Sequence, residues 1–207
     1  MTECIIVALI AYLLGSISFS VIIGKKMAGF DIRDKGSGNA GSTNVLRTVG
    51  KKAAALTLLC DVLKGVVAIL VAIITGAIVK ENQALLIQIA GIAVILGHTF
   101  PIFFEFKGGK GIATALGVLL ITNWQIGLIC LVFALVLMVL TRIVSLGSVA
   151  AAILFPVLTF FIHEHYIVAG SGYFIYSIII AILVIFNHRS NVKRLLNGTE
   201  NRLSFKK

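Results

Sequence analysis

Residues 36–47 combine an unshielded backbone with side chains that suit anions. They read GSGNAGSTNVLR, in which the glycines leave backbone N–H groups uncovered. The last residue, Arg47, adds a planar fork of donors that suits phosphate. The stretch therefore predicts a cradle for an oxyanion, and a flexible loop between two helices is the alternative that its composition leaves open. The side chains that we expect to contact a ligand here are Ser37, Asn39, Thr43, Asn44 and Arg47.

A second glycine-rich stretch, residues 106–114, reads FKGGKGIAT and directly precedes an apolar segment. If that segment is a helix, the N–H groups of its first turn and two lysine ammonium groups converge where an anion would bind. The glycine spacing does not match a Walker A loop. A basic flank of a membrane segment, interrupted by glycines, is the alternative. The candidate ligand-binding residues are Lys107, Gly108, Gly109 and Lys110.

Three further polar positions interrupt apolar segments. Asp61 and Lys64, in CDVLKG, lie one helical turn apart where ionisable groups are costly unless they are paired or functional. An ion pair that orients the neighbouring loops and a catalytic role are the two interpretations. His98, in GHTFP, closes an apolar segment, where it either binds a ligand phosphate or caps the helix end.

The end of the chain supplies the remaining candidates. Ser145, in TRIVSLGS, offers a hydroxyl donor at a short turn. His188 and Asn191, in NHRSNVKRLLNGTE, lie one helical turn apart after the last apolar segment, and Glu200 follows. We expect a short helix on the membrane surface in this tail, and a basic helix that only binds anionic lipid is the alternative.

The elements that must position these residues are membrane helices. The chain has 207 residues, of which 59% are hydrophobic and only 13% are charged, and its mean hydropathy is +1.07. These values exclude an ordinary soluble domain and predict an all-α, polytopic membrane bundle of about seven transmembrane helices. One segment, 112–121, is too short to span as a straight helix. The apolar segments are 5–23, 53–79, 84–104, 112–121, 124–140, 144–162 and 172–186.

The basic residues fall on one side of this bundle if the segments alternate in direction. All of the 18 lysines and arginines except Lys64 and Lys80 lie in loops on the same side. The positive-inside rule then places the N-terminus outside and the C-terminus in the cytoplasm. The net charge of +10 is thereby explained without nucleic acid. The opposite side has the acidic residues Glu3, Glu81 and Glu164, and the histidines His163 and His165, which we expect to be solvated.

The remaining composition argues against several other classes of site. The cysteines, Cys4, Cys60 and Cys130, are odd in number and lack CxxC spacing, so we interpret them as small core residues. Acids and histidines do not cluster at ligand spacing, so we expect no metal and no cofactor. The sequence has no nucleophile elbow. We find no internal repeat or long linker, and we therefore expect a single domain over 1–207.

Three motifs together resemble one known family. GSGNAGSTNVLR, GHTFPIFFEFKGGKGIATALG and HRSNVKRLLNGTE, with DVLKG and TRIVSLGS between them, are similar to the acyl-phosphate-dependent glycerol-3-phosphate acyltransferases of bacteria, the PlsY family. The resemblance covers essentially the whole chain. It implies a seven-helix fold in the bacterial inner membrane, with an active site that faces the cytoplasm.

The implied reaction is the first step of bacterial phospholipid synthesis. A fatty acyl group passes from acyl phosphate to the sn-1 hydroxyl of glycerol 3-phosphate, giving lysophosphatidic acid and phosphate. The resemblance places Ser37 and Arg47 in a first phosphate-binding loop and Lys107 in a second. It implies that Ser145, His188 and Asn191 close the pocket, and that Glu200 is structural.

The chain departs from the family pattern at three positions. Ala40 and Ser42 stand where proline and alanine are expected, and Glu105 is an unusual acid before the second glycine loop. The first two changes leave the N–H-rich loop intact, whereas Glu105 weakens the attraction of anions nearby.

An acyl phosphate is already activated toward attack, so the enzyme has only to position the hydroxyl and stabilise developing charge. We therefore hypothesise direct transfer without an acyl-enzyme, in which His188 or the departing phosphate takes the proton and Asn191 assists. The expected partners are glycerol 3-phosphate, acyl phosphate and membrane lipids. The rival function is a membrane carrier for a small phosphorylated solute, which would need substrate groups near the bilayer midplane and access to both sides.

Overall fold

The computed structural model describes residues 1–80, 82–161 and 172–203, and within them the secondary structure is helical with no β-strand. Glu81, His163, Glu164 and His165 lie outside the described residues, so our expectations for them are untested. Within the described residues, five helical segments are long and apolar enough to cross a membrane, and a bent pair of helices makes a sixth if it counts as one span. A shorter apolar helix adds to these, in agreement with the predicted all-α membrane bundle.

The chain forms two compact units, Met1–Thr122 and Asn123–Lys207. In the first unit, α1 (Thr2–Gly15) packs against α5 (Gln83–Thr99), and α4 (Lys51–Val79) packs against α5 and α6 (Ile112–Thr122). Glycines permit this close packing, because a methyl group at Gly97 would strike the carbonyl of Tyr12 and one at Gly65 would strike that of Thr114. The helices of this unit are α1 (Thr2–Gly15), α2 (Phe19–Ala28), α3 (Ser42–Thr48), α4 (Lys51–Val79), α5 (Gln83–Thr99) and α6 (Ile112–Thr122).

The predicted first apolar segment, 5–23, lies within one candidate span, Thr2–Ala28, but the helix of this span is interrupted, which the apolar pattern did not predict. Helix α1 ends at Gly15 and α2 begins at Phe19. The Lys64 ammonium group donates to the carbonyl oxygens of Gly15 and Ile17, each at 3.0 Å. Those carbonyls are thus satisfied outside a helix, which is the condition for irregular backbone within a membrane.

Helix α6 has the short length that the sequence predicts. Its 11 residues span about 17 Å as a straight helix, well below the roughly 30 Å hydrocarbon core. It begins at Ile112, immediately after the second glycine-rich stretch. The N-terminus of α6 therefore lies next to that stretch, and the backbone N–H groups of its first turn are close to the glycines.

In the second unit, α8 (Val144–Phe161) packs against both α7 (Trp124–Thr141) and α9 (Tyr173–Asn187). Asn123 caps α7, since its side-chain oxygen accepts the backbone N–H of Ile126 at 3.0 Å. The last helix bends by 67° from α9 and packs against α8 and α9, which confirms the short helix predicted in the tail. The helices of this unit are α7 (Trp124–Thr141), α8 (Val144–Phe161), α9 (Tyr173–Asn187) and α10 (Arg189–Leu196).

Many large apolar side chains are exposed along these helices, as lipid contact requires. Val139 and Leu140 on α7, for example, are 73% and 75% exposed. The buried residues of the first unit include polar side chains, such as Thr57, Asp61 and Lys64, among aliphatic ones. The orientation of the termini and the single-domain organisation remain predictions.

Candidate active site

The first glycine-rich stretch is partly helical, so it is not an irregular loop along its whole length. Its second half forms α3, and Gly36 and Gly38 adopt left-handed conformations with φ of 60° and 70°. A methyl group at Gly36 would strike the side-chain oxygen of Asn44. Glycine is required there both by the backbone conformation and by this close approach.

Asn44 organises the first loop through its side-chain amide. Its oxygen accepts the backbone N–H of Ser37 at 2.9 Å, and its nitrogen donates to the carbonyls of Ile32 and Lys35 at 2.9 and 3.0 Å. The residue is 1% exposed. We predicted Asn44 as a ligand-binding residue, and the structure shows its amide bonded to the loop that carries the other candidates.

The other candidates of this loop lie nearer to solvent. Ser37 and Arg47 are exposed, and Asn39 and Thr43 are partly buried. The hydroxyl of Ser37 and the guanidinium of Arg47 are therefore presented by a loop whose backbone Asn44 holds in place.

The second glycine loop pairs with the end of α5. The backbone N–H groups of Gly108 and Gly109 donate to the carbonyls of Thr99 and His98 at 3.1 and 3.0 Å. These two amides are thus bonded within the protein, so the backbone donors that remain for an anion are those at the start of α6. Lys107 is exposed and Lys110 is partly buried beside them.

The two glycine loops meet at Gly109. A methyl group there would lie 2.7 Å from the carbonyl oxygen of Ala40 and would strike His98 Nε2. His98 is 7% exposed. The structure therefore brings together the first loop, the second loop and His98, three features that the sequence placed at separate positions.

Hydrogen bonds from Arg33 link the segment before the first glycine loop to the segment before the second. Arg33 donates to the carbonyl of Phe104 at 2.8 Å and to both carboxylate oxygens of Asp31 at 3.0 and 2.9 Å. The hydrogen bond from Arg33 lowers the pKa of Asp31 to about 2, and that carboxylate in turn raises the pKa of Arg33. The pair of Arg33 and Asp31 thus stays charged at neutral pH and ties the segment before the first loop to the segment before the second.

Glu105 pairs with Lys107 across an exposed turn. The two side chains are 3.2 Å apart and are 71% and 72% exposed, so the ion pair contributes little to stability. Both Glu105 and Phe106 have a left-handed backbone with φ of 58°, which is uncommon outside glycine. The Lys107 ammonium group is therefore paired with a carboxylate in this structure.

The buried charges on α4 form the ion pair that the sequence left as one of two interpretations. Lys64 Nζ and Asp61 Oδ1 are 3.0 Å apart, with side chains 3% and 2% exposed. The same Asp61 oxygen lies 3.6 Å from His98 Nδ1. The pair therefore connects the broken first span to the histidine beside Gly109.

In the second unit, Ser145 lies in the first turn of α8 and is 7% exposed. Its hydroxyl oxygen is among the buried side-chain atoms of the described part of the chain that have no hydrogen-bond partner. Buried hydroxyl groups are normally paired, so this oxygen is suited to a ligand group.

His188 and Asn191 are both buried and both held by their neighbours. His188 Nδ1 lies 2.8 Å from the carbonyl oxygen of Val184, which can only accept, so Nδ1 carries a proton. Asn191 donates to Glu200 at 3.0 Å, and Arg194 donates to the other oxygen of that carboxylate at 3.0 Å. Glu200 thus orients Asn191, which fits the structural role that the resemblance implies.

Sequence reasoning missed Thr114 as a site candidate. It is fully buried in the first turn of α6, and its hydroxyl oxygen has no hydrogen-bond partner within the described residues. The available signal was its place at the end of the FKGGKGIAT motif. No group of His, Cys, Asp or Glu side chains in the described ranges could hold a metal ion. The expectation that no metal or cofactor is used stays a prediction.

Comparisons with known proteins agree on one family. The sequence matches the family described as glycerol-3-phosphate acyltransferase over residues 5–198. The glycerol-3-phosphate acyltransferase of Clostridioides difficile (strain 630) is 47% identical, with 98% of this chain and 97% of that protein covered. The protein of the same description from Thermoanaerobacter sp. (strain X514) is 46% identical, with 98% and 96% covered.

Two solved structures are similar over nearly the whole chain. Both are crystal structures of PlsY, described as an integral membrane glycerol 3-phosphate acyltransferase. Its glycerol 3-phosphate form has a TM-score of 0.84 and 39% identity, with 97% of this chain and 96% of that chain covered. Its lysophosphatidic acid form has a TM-score of 0.82 and 37% identity, with 97% and 95% covered.

Proposed function

Because this chain belongs to the glycerol-3-phosphate acyltransferase family, we propose that it transfers a fatty acyl group from acyl phosphate to the sn-1 hydroxyl of glycerol 3-phosphate. The products are lysophosphatidic acid and phosphate. The reaction is the first step of phospholipid synthesis and takes place at the cytoplasmic side of the bacterial inner membrane. The acyl chain of donor and product lies among the membrane lipids.

The observation that carries this proposal is the meeting of two glycine-rich, cationic loops at Gly109. The first loop presents Ser37 and Arg47, and the second presents Lys107 and Lys110. Both substrates of the proposed reaction carry a phosphate group, and cationic side chains with backbone donors are what phosphate binding requires. We assign glycerol 3-phosphate to these loops.

The proposed chemistry is a direct displacement at the acyl carbonyl. The sn-1 hydroxyl oxygen attacks the carbonyl carbon, the bond from that carbon to the phosphate oxygen breaks, and phosphate leaves with the bonding electrons. The cationic side chains of the glycine loops stabilise the charge that develops on the phosphate oxygens, and the family resemblance assigns the Ser145 hydroxyl to the same reaction. An acyl phosphate is reactive enough that no acyl-enzyme is needed.

His188 is one of the two proton acceptors that this mechanism leaves open. Since its Nδ1 donates to the Val184 carbonyl, the neutral ring has its lone pair on Nε2. That nitrogen can take the hydroxyl proton as the new ester bond forms. The departing phosphate is the other group that can accept this proton. Asn191, which Glu200 holds in place, orients the reacting carbonyl.

The cysteines do not favour a covalent intermediate. Cys4, Cys60 and Cys130 lie within α1, α4 and α7, and Cys130 is buried. None belongs to the two glycine loops or to the tail motif.

The test uses detergent-purified full-length protein with acyl phosphate and glycerol 3-phosphate. We expect release of phosphate and formation of lysophosphatidic acid in equal amounts. Acyl-CoA or acyl carrier protein as the preferred donor would contradict the proposed donor. Uptake of a phosphorylated solute into proteoliposomes without acyl transfer would favour the carrier instead.

A further inference from the structure

Asp61, Lys64 and His98 form a continuous chain of polar contacts inside the first unit. Lys64 Nζ contacts three oxygens at 3.0 Å, which belong to Asp61 and to the carbonyls of Gly15 and Ile17. Two of these contacts are hydrogen bonds, to the carbonyls of Gly15 and Ile17, and the third is an ion pair with the Asp61 carboxylate. One end of the chain is therefore the break between α1 and α2.

The other end of the chain is the second glycine loop. Asp61 Oδ1 lies 3.6 Å from His98 Nδ1, which is longer than a hydrogen bond, but the negative charge of the carboxylate favours a proton on this nitrogen. The opposite ring nitrogen, Nε2, is the atom that a methyl group at Gly109 would strike. The same histidine also receives the Gly109 backbone N–H on its carbonyl at 3.0 Å.

We propose that Asp61 and Lys64 are positioning residues that fix the second glycine loop through His98. This inference rests on the proposed function, because it concerns how that site is held. Neither residue contacts substrate in this account. Asp61 fixes the ring orientation and tautomer of His98, and Lys64 fixes Asp61 against the broken first span.

The burial of the pair supports positioning over stability alone. A buried ion pair is weak evidence for stability, since apolar residues of similar volume often stabilise a fold equally well. The side chains here are 3% and 2% exposed, and they contact the histidine behind the glycine loop. The consequence is that removing Asp61 should disturb the glycine loop only when His98 is present.

The test is a double-mutant cycle with Asp61→Asn and His98→Gln, in which kcat and the KM for glycerol 3-phosphate are measured. We expect Asp61→Asn alone to raise this KM about tenfold and to change kcat by less than about threefold. In the His98→Gln background the same substitution should change KM by less than about twofold, because the residue it acts through is gone. Asp61→Glu, which keeps the carboxylate, should retain much more of the affinity for glycerol 3-phosphate than Asp61→Asn does.

Thr75→Val is the matched control, since Thr75 lies on the same helix and its hydroxyl donates within α4 to Val71 at 2.8 Å. It should leave both constants unchanged. If Asp61→Asn leaves Lys64 unpaired and the protein does not fold, Asp61→Asn with Lys64→Met removes both charges and enters the same cycle. If Asp61→Asn raises KM by the same factor with and without His98→Gln, the two residues act independently and the proposal is wrong. A fall in kcat at constant KM would also overturn it. Loss of acyl transfer in the unmodified protein would instead contradict the proposed function.

Discussion

At the scale of single residues, the cations of the two glycine loops differ in their surroundings. Arg47 and Lys107 are both exposed, but Lys107 has the Glu105 carboxylate at 3.2 Å. Glu105 departs from the family pattern. In the structure its carboxylate pairs with the Lys107 ammonium group, which we expect to bind phosphate. Removing the charge of Lys107 should therefore weaken substrate binding, and removing the charge of Glu105 should strengthen it.

We predict that Lys107→Ala raises the KM for glycerol 3-phosphate about 10- to 100-fold. One charge-assisted hydrogen bond contributes about 1.5–3 kcal/mol, which corresponds to that range. Arg47→Ala should behave similarly. Steady-state kinetics with saturating acyl phosphate measure this effect, and the exposed Lys26, changed to alanine, serves as the control.

Glu105→Gln should lower the same KM by up to about fivefold, because an exposed ion pair that competes with substrate contributes about 1 kcal/mol or less. A normal KM in both Lys107→Ala and Arg47→Ala would show that these loops do not bind the phosphate.

His188→Gln should lower kcat by about 10²–10⁴ and leave the KM for glycerol 3-phosphate within about threefold. This is the usual range for loss of a general base that acts in the transition state. The exposed neighbour Ser190, changed to alanine, is the control. A fall in kcat of less than about tenfold would assign the proton to the departing phosphate.

At the scale of elements, the second glycine loop is fixed by contact with the first loop and with α5. Gly109 lies against Ala40 and His98, and its neighbour Gly108 donates to Thr99. The glycines of this loop therefore allow backbone segments to pack closely.

Gly109→Ala should lower kcat/KM at least tenfold in folded protein. The added methyl group would lie 2.7 Å from the Ala40 carbonyl oxygen, so the two loops must separate, and small displacements of binding groups are costly. Gly24→Ala is the matched control, because its methyl group would meet Ile32 at an ordinary 3.4 Å. Thermal stability in detergent separates a local displacement from unfolding. Normal kinetics in Gly109→Ala would contradict the packing role of this glycine.

Helix boundaries and motifs were predictable from the sequence, but the break in the first span was not. The segment 5–23 is apolar throughout its length, and the residue that satisfies its broken backbone, Lys64, lies 49 positions from Gly15. The contacts of Asn44 could not be predicted for the same reason, because an asparagine side chain can bind either a ligand or the backbone of its own loop. Such assignments depend on contacts that local pattern does not encode.

At the scale of the whole molecule, the proposed function requires the basic loops to face the cytoplasm. The positive-inside rule predicts this orientation from the sequence. A cysteine-free variant, with Cys4, Cys60 and Cys130 replaced, allows single cysteines to be tested at Lys80 and Lys193. An impermeant thiol reagent should label Lys80→Cys in intact cells and Lys193→Cys only after the membrane is opened. The reverse pattern would invert the predicted orientation.

The central claim is direct transfer from acyl phosphate to glycerol 3-phosphate. A rapid-quench experiment with purified enzyme in excess over acyl phosphate measures phosphate release with and without glycerol 3-phosphate. We predict no burst of phosphate without the acceptor, and a burst with matching lysophosphatidic acid when the acceptor is present. A burst without glycerol 3-phosphate, accompanied by an acyl group attached to the protein, would contradict the account.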